Sequence, residues 1–332
     1  MSKKHFSILL LITIAVALAV VLVPSRTGRD TTLESTTFLP ELAAVVNDIA
    51  HLRVSAEGGS DVVTLNRQDQ GWVVSESFDY PADWSVIRPL LAGLSQAEVV
   101  EEKTSNPDYY HRLGLEDPGS EEATSKLVEF PLNDSLPSVI VGNSAQGREG
   151  QYLRRQGEPR TVLVDRSISL PLNSTGWLAR AIVDMPESEV LALQIIHPDG
   201  ETVAIQRNST EVTDFTLEDI PEGRTSKSAW TINQLASGLA GLQLDAVAPL
   251  DDVSWESAIQ VQALSESGLQ VDALLAEDEE HRWVRLEASG SEVAEEINQR
   301  VEGWAYQIPL YKYDAFNKRM EDLLAEPEDE SD

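Results

Sequence analysis

The five histidines of the chain, His5, His51, His111, His197 and His281, are the natural place to look for a metal site or a general base. No two stand three or four residues apart, the spacing that sets two imidazoles on one helix face, so the zinc-protease arrangement is missing. Cysteine is absent, which removes disulfides, thiol nucleophiles and cysteine-held metals from consideration. Residues 142–149 copy the glycine spacing of a phosphate-binding loop, but Arg148 and Glu149 stand where such a loop needs Lys and Ser or Thr. A connection between two strands is the better reading. Neither the nucleophile elbow of hydrolases nor the glycine fingerprint of dinucleotide sites occurs.

Carboxylates are the abundant reactive groups. Asp and Glu number 56 against 25 Lys and Arg, a formal charge of −31. A surface this negative repels phosphate backbones and anionic headgroups, so nucleic acid is excluded as a partner. Two carboxylates at the right separation could hydrolyse a glycoside, but 56 candidates nominate no particular pair. Glu277-Asp278-Glu279-Glu280 reads as a solvated hairpin loop without the spaced ligands and central glycine of a calcium loop. Residues 326–332 read as a frayed acidic tail.

Aromatic residues could line a binding surface. Trp84 and Trp230 open two similar helical patterns, which predicts a core role tying helix to sheet. The segment Gly303 to Tyr313, dense in aromatics and interrupted by Pro309, predicts an edge strand that could accept a partner strand.

The elements that must position these side chains begin with Phe6–Val23, an uncharged apolar run behind Lys3 and Lys4. As a helix it spans about 27 Å, enough for a bilayer core, and Pro24 ends it. A cleaved signal peptide would use Ala17-Leu18-Ala19 but leave an apolar stub, so an uncleaved anchor over residues 1–24 is expected. Basic residues are nearly balanced across the run. The short N-terminal side and the acidic bulk point to a single-pass protein of the bacterial inner (cytoplasmic) membrane, with most of the chain extracytoplasmic. Residues 25–44, rich in Thr, Ser and charge at their start, read as a tether.

Beyond the tether the chain repeats an order of elements. Ile49 to Val54 alternates as a strand, Glu57 to Ser60 turns, Val62 to Leu65 returns and Gly71 to Val74 follows. Residues 190–207 repeat the hairpin around Pro198-Asp199-Gly200. Helical patterns follow at 84–99 and 230–249. Ile87, Leu91 and Leu94 share a face in the first, and Ile232, Leu235, Leu239 and Leu242 in the second. Asp83 is placed to cap the first, and Pro89 predicts that this helix is kinked or shorter than its echo. Further strands are expected at 126–130, 138–141, 151–154 and 161–164, and again at 259–263, 269–272 and 282–286. Closing helices are expected near 174–182 and 314–324. The expected class is α+β, with two tandem related domains, 45–184 and 185–325, each an antiparallel sheet with helices on one face, after the transmembrane helix.

Tyr110-His111-Arg112-Leu113-Gly114-Leu115-Glu116-Asp117-Pro118 resembles the Tyr-Gly-Leu-x-x-Pro signature of the domain-of-unknown-function family 4340, with His111-Arg112 as an intervening departure. Val141-Gly142-Asn143, Gly150 to Arg154 and Val162-Leu163-Val164 resemble further stretches of that family. The resemblance implies a membrane-anchored extracytoplasmic protein associated with gliding-motility-type ABC transport systems. It supplies no catalytic residues. The expected function is therefore a non-catalytic accessory or scaffold protein of an ABC-type envelope transport system, with transporter permease subunits as partners. An envelope polysaccharide hydrolase using paired carboxylates is the alternative. No residue is assigned a catalytic, cofactor-binding or metal-ligating role, no cofactor is implied, and partner-binding residues are not nominated.

Overall fold

The computed structural model describes residues 36–55, 62–119, 123–171, 173–278 and 280–326. The expected membrane anchor, nearly all of the tether, the turn at 57–60 and the tail after Glu326 lie outside the described residues. Among the described residues no helix is long and apolar enough to cross a membrane. The fold is mixed α+β, built mainly from two antiparallel sheets with few helices.

The first sheet uses β1 (Thr36–Thr37), β2 (His51–Ser55), β3 (Val62–Gln68), β4 (Gly71–Val74), β5 (Tyr80–Pro81), β6 (Glu98–Glu102), β7 (Lys126–Glu129), β8 (Val139–Ser144), β9 (Gln151–Arg155) and β10 (Thr161–Val164). Their order is β1-β6-β10-β9-β8-β7-β2-β3-β4-β5. A small pair, β11 (Ala181–Val183) and β15 (Leu242–Gln243), stands apart from both large sheets. The second large sheet uses β12 (Val190–Ile196), β13 (Thr202–Gln206), β14 (Thr216–Leu217), β16 (Ala246–Pro249), β17 (Ile259–Ser265), β18 (Gln270–Glu277), β19 (Arg282–Ser289) and β20 (Trp304–Gln307). Its order is β14-β13-β12-β17-β18-β19-β20-β16.

Without the short outer strands β1 and β5, the two orders are the same. Each sheet starts with a hairpin and a third strand beside it. The chain then passes through a helix and lays one strand at the far edge. A four-stranded meander grows from the hairpin's first strand and closes against that far strand.

Among the described residues six helices accompany the sheets: α1 (Pro40–Val45), α2 (Trp84–Ser95), α3 (Ala229–Ala236), α4 (Val293–Val301), α5 (Leu310–Phe316) and α6 (Met320–Leu323). Asp83 caps α2, accepting the Ser85 amide at 2.8 Å, and Ile87, Leu90, Leu91 and Leu94 are buried. Pro89 lies inside α2, yet α2 is the longer helix of the pair, so of the two expected outcomes the shorter helix is ruled out. α3 stops at Ala236, and just beyond it Gly238 passes under Phe316, whose ring lies 2.1 Å from where a Cβ would be. Leu239 then falls in a turn and Leu242 on β15, so all four predicted leucine and isoleucine positions are buried, but by two kinds of backbone.

Three further expectations are corrected. Residues 174–182 form a short 3-10 turn (Ser174–Trp177) and the start of β11 rather than a helix, with Asn173 capping the turn through the Gly176 amide. The closing helix at 314–324 is split into α5 and α6. The 303–313 segment is not an edge strand: β20 is paired by β19 on one side and β16 on the other, and Pro309 leads into α5.

One apolar core runs through both halves, with Trp177, Tyr80, Tyr306 and Phe316 among its most deeply buried side chains. Tyr80, from the first sheet, meets Trp304 and Tyr306, from the second, edge-on at 5.1 and 6.1 Å. Burial pushes the phenol of Tyr306 far above its ordinary range, with Tyr80 adding to the shift.

Candidate functional site: a covered sheet face and an open one

In each large sheet one face packs into the shared core. The opposite faces differ. On the first sheet, Leu127, Ile140 and Arg154 form one cross-strand row. The connection from β6 to β7 folds over this row through a 3-10 helix, Pro107–Arg112, capped by Asn106 on the Asp108 amide. Tyr110 and Leu115 of that cover bury against Leu127 and Ile140 as a small second core.

Arg154 fixes the cover in place. Its side chain is 3% exposed. It donates to the Leu115 carbonyl from Nε at 3.1 Å and from Nη2 at 3.0 Å, to the Glu158 carbonyl at 3.3 Å and to Asp117 at 2.6 Å. Its guanidinium lies over the Tyr110 ring at 4.5 Å, and the Tyr110 hydroxyl donates to the Pro159 carbonyl at 2.8 Å. Gly142 lets the cover approach, because a Cβ there would lie 2.3 Å from the Leu113 carbonyl oxygen.

On the second sheet the matching row is Gln260, Leu274 and Arg285. The connection from β16 to β17, residues 250–258, is short, and the row beside it lines an open trough. Arg285 meets an aromatic from that connection, Trp255, at 5.5 Å, much as Arg154 meets Tyr110. Arg285 remains half-buried, and Gln260 is exposed. The next row is Gln262, Asp272 and Glu287.

These two rows floor a trough of about 580 Å³. Trp304 and Leu250 line it beside them, and α4 contributes Asn298 and Val301. Asn298 is held by the backbone of β19, accepting the Ala288 amide and donating to the Ala288 carbonyl, both at 2.8 Å. A second hollow of about 280 Å³ adjoins at Gln262 and extends over Gln194, Gln206, Glu218 and Gln270.

The floor is thus amide-rich and acidic. Gln270 donates to Asp272 at 2.9 Å and Gln206 to Glu218, which leaves the side-chain amides of Gln194, Gln260 and Gln262 without a hydrogen-bond partner among the described residues. Asp272 and Glu287 are direct cross-strand neighbours. Both rise from the same floor rather than facing each other across a cleft.

The histidines stand apart. His51 bonds Asn66 at 2.7 Å, His197 is buried against the Lys318 carbonyl at 3.0 Å, His111 sits in the cover and His281 in the β18–β19 hairpin, while His5 lies outside the described residues. Among the described residues no three metal-ligating side chains converge. Residues 142–149 run from β8 into a turn where the Ala145 amide bonds the Gly150 carbonyl at 2.8 Å. In the acidic hairpin, the Glu280 amide, the Trp283 indole N–H and the His281 amide all donate to Asp278 and hold its carboxyl well below the usual aspartate range. Trp84 and Trp230 are surface residues, 51% and 70% exposed, not core ties. Each lies in the first turn of its helix, and the buried stripe begins only at Ile87 and Ile232.

The trough residues escaped sequence reading. The signal that could have found them is the strict alternation of Gln260, Gln262 and Leu264 with buried neighbours in β17.

The family described as "Domain of unknown function (DUF4340)" matches residues 72–270. The matched stretch runs from β4 to the first residue of β18 and so includes the cover, Arg154 and the glutamine strand β17. No curated protein and no solved structure matches the chain.

Proposed function

The chain belongs to the DUF4340 family, and from that premise we propose that it is a non-catalytic accessory protein of an ABC-type envelope transport system, anchored by residues 6–23 with its folded part extracytoplasmic. In this reading residues 45–184 and 185–325 are related domains from duplication of one unit. The common strand order and the matched arginine-aromatic pairs, Arg154 with Tyr110 and Arg285 with Trp255, support that origin. One copy closed its outer sheet face and became scaffold. The other kept its face open as the binding surface.

The observation that carries this reading is the difference between the two faces. A hydrophobic row under a clamped cover is a packing solution. A row of unpaired amides in a trough leaves hydrogen-bonding capacity for a ligand. The polysaccharide hydrolase gains less from the geometry. Glycosidases place their two carboxyls on either side of the scissile bond. Asp272 and Glu287 would both lie beneath a ligand on this floor.

A photo-crosslinking residue placed at Gln262, in the full-length protein in cells, tests the proposal against the same residue placed at Arg53 on the first sheet. Transporter subunits should co-purify with the anchored protein, and position 262 should capture material that position 53 does not. Equal capture at both, or purification in mild detergent with no membrane partner, would count against it.

A further inference from the structure

We infer that the trough on the second sheet binds a neutral, hydroxyl-rich oligosaccharide; this rests on the open face being the binding surface and names its ligand class. Asp272, Glu287 and Glu302 line the trough and Glu218 the adjoining hollow, against one cation, Arg285, among the described residues. On a chain with net charge −31, that excludes phosphorylated, sulfated or uronic-acid polymers. An apolar ligand would leave the amides of Gln194, Gln260 and Gln262 desolvated and unpaired.

A peptide is refused on other grounds. Extended peptides dock by adding to an unpaired strand edge or by sinking apolar anchors into pockets. The floor here is the middle of a sheet, where β17 and β18 are paired on both sides, so it offers side chains and no free backbone.

What remains matches a saccharide. A hydroxyl both donates and accepts, and a primary amide does so across its two ends. Planar amide, carboxylate and guanidinium groups laid out along a floor can bridge neighbouring hydroxyls. Trp304 and Leu250 stand along one side of the trough, with the Trp304 ring turned inward, edge-on to the buried Tyr80 at 5.1 Å. The trough and its adjoining hollow cross five strands from β13 to β19, about 19 Å at the usual strand spacing. That length holds a run of several sugar rings rather than one.

The test is calorimetric titration of the full-length protein in detergent micelles with cellohexaose, maltohexaose and chitohexaose, and with an oligogalacturonate as the anionic control. At least one neutral hexasaccharide should bind and the anionic one should not. The double variant Gln260→Ala/Gln262→Ala, which alters exposed side chains and should melt like the parent, should weaken that binding at least about tenfold. Absence of binding by all three neutral probes, stronger binding of the anion, or an unchanged affinity in the double variant would each overturn the inference. If no saccharide binds while position 262 still crosslinks a protein in cells, the ligand class is wrong and the accessory role stands. If neither occurs, the binding-face reading falls as well.

Discussion

Two sheets with the same strand order have ended with opposite outer surfaces. On the first, Leu127 and Ile140 lie under Tyr110 and Leu115, and Arg154 donates twice to the Leu115 carbonyl of the cover. On the second, Gln260 and Leu274 occupy the matching places, Arg285 meets Trp255, and the row lines an open trough. The lesson is that connection length, more than sheet topology, decides whether a face becomes core or surface. A connection long enough to turn back over the sheet needs apolar residues beneath it and a clamp to satisfy its carbonyls. A short one leaves the face wet, and its residues are then under no packing constraint.

That contrast can be broken by substitution. The largest effect is expected from Arg154→Ala, which orphans the Leu115 carbonyl and unseats Tyr110. It should cost about 2–4 kcal/mol in urea unfolding, whereas Arg285→Ala should cost about 0.5 kcal/mol or less. Equal losses would mean that the two arginines are not differently employed. Exchange of the row residues comes next. Leu127→Gln should cost about 2 kcal/mol by burying an unpaired amide, and Gln260→Leu should stay within about 0.5 kcal/mol. If Gln260→Leu destabilises as much as Leu127→Gln, the second face is not open in solution.

Smaller is the loss expected for Tyr110→Phe, about 1 kcal/mol for the hydrogen bond to the Pro159 carbonyl, read from the same unfolding curves. A neutral result would assign the tyrosine to packing alone. The smallest effect concerns the strand end where the first sheet closes. The Arg166 guanidinium, followed by the Glu98 amide at 3.0 Å, holds the Asp165 carboxyl below its usual 3.8 despite partial burial. The folded carboxyl is the stronger acid, so its contribution is complete above about pH 3.8 and is lost as pH falls through the lower folded value. Asp165→Asn should therefore narrow the difference in melting temperature between pH 7 and pH 3. At the matching place after β20 of the second sheet stands Ile308. An unaltered pH profile would place the acid sensitivity elsewhere.

Much of the strand layout was legible in the chain because period-two alternation survives in β2, β3, β12, β13 and β17, each with one buried face. The capping Asp83 was legible for a local reason, a side chain reaching an amide two residues on. Where reading failed, the cause was tertiary. Nothing near Gly238 announces that Phe316 will need its missing Cβ just past the end of α3. Trp304 could not be placed inside a sheet without knowing that β16 would arrive from more than fifty residues upstream. The candidate site was the least legible part. Gln260, Asp272 and Arg285 come from three strands, and each alone is an ordinary solvent-facing residue. Only their shared floor makes a trough.

The first strand of the fold has a mechanical consequence. Among the described residues β1 is Thr36–Thr37 and pairs with β6, at Thr36 with Val99 and Thr37 with Glu98. Immediately behind it, the Phe38 amide bonds the Ala97 carbonyl at 2.7 Å. Arg155 then grips the Phe38 carbonyl at 2.8 Å and the Glu41 carboxylate at 3.0 and 3.1 Å. A pull arriving through the N-terminal segment would peel two ladder positions one after another and then meet the Arg155 clasp, whose several bonds must yield together. The load enters the covered half and is borne there. The open trough, on the other sheet, would keep its shape while the chain is under tension.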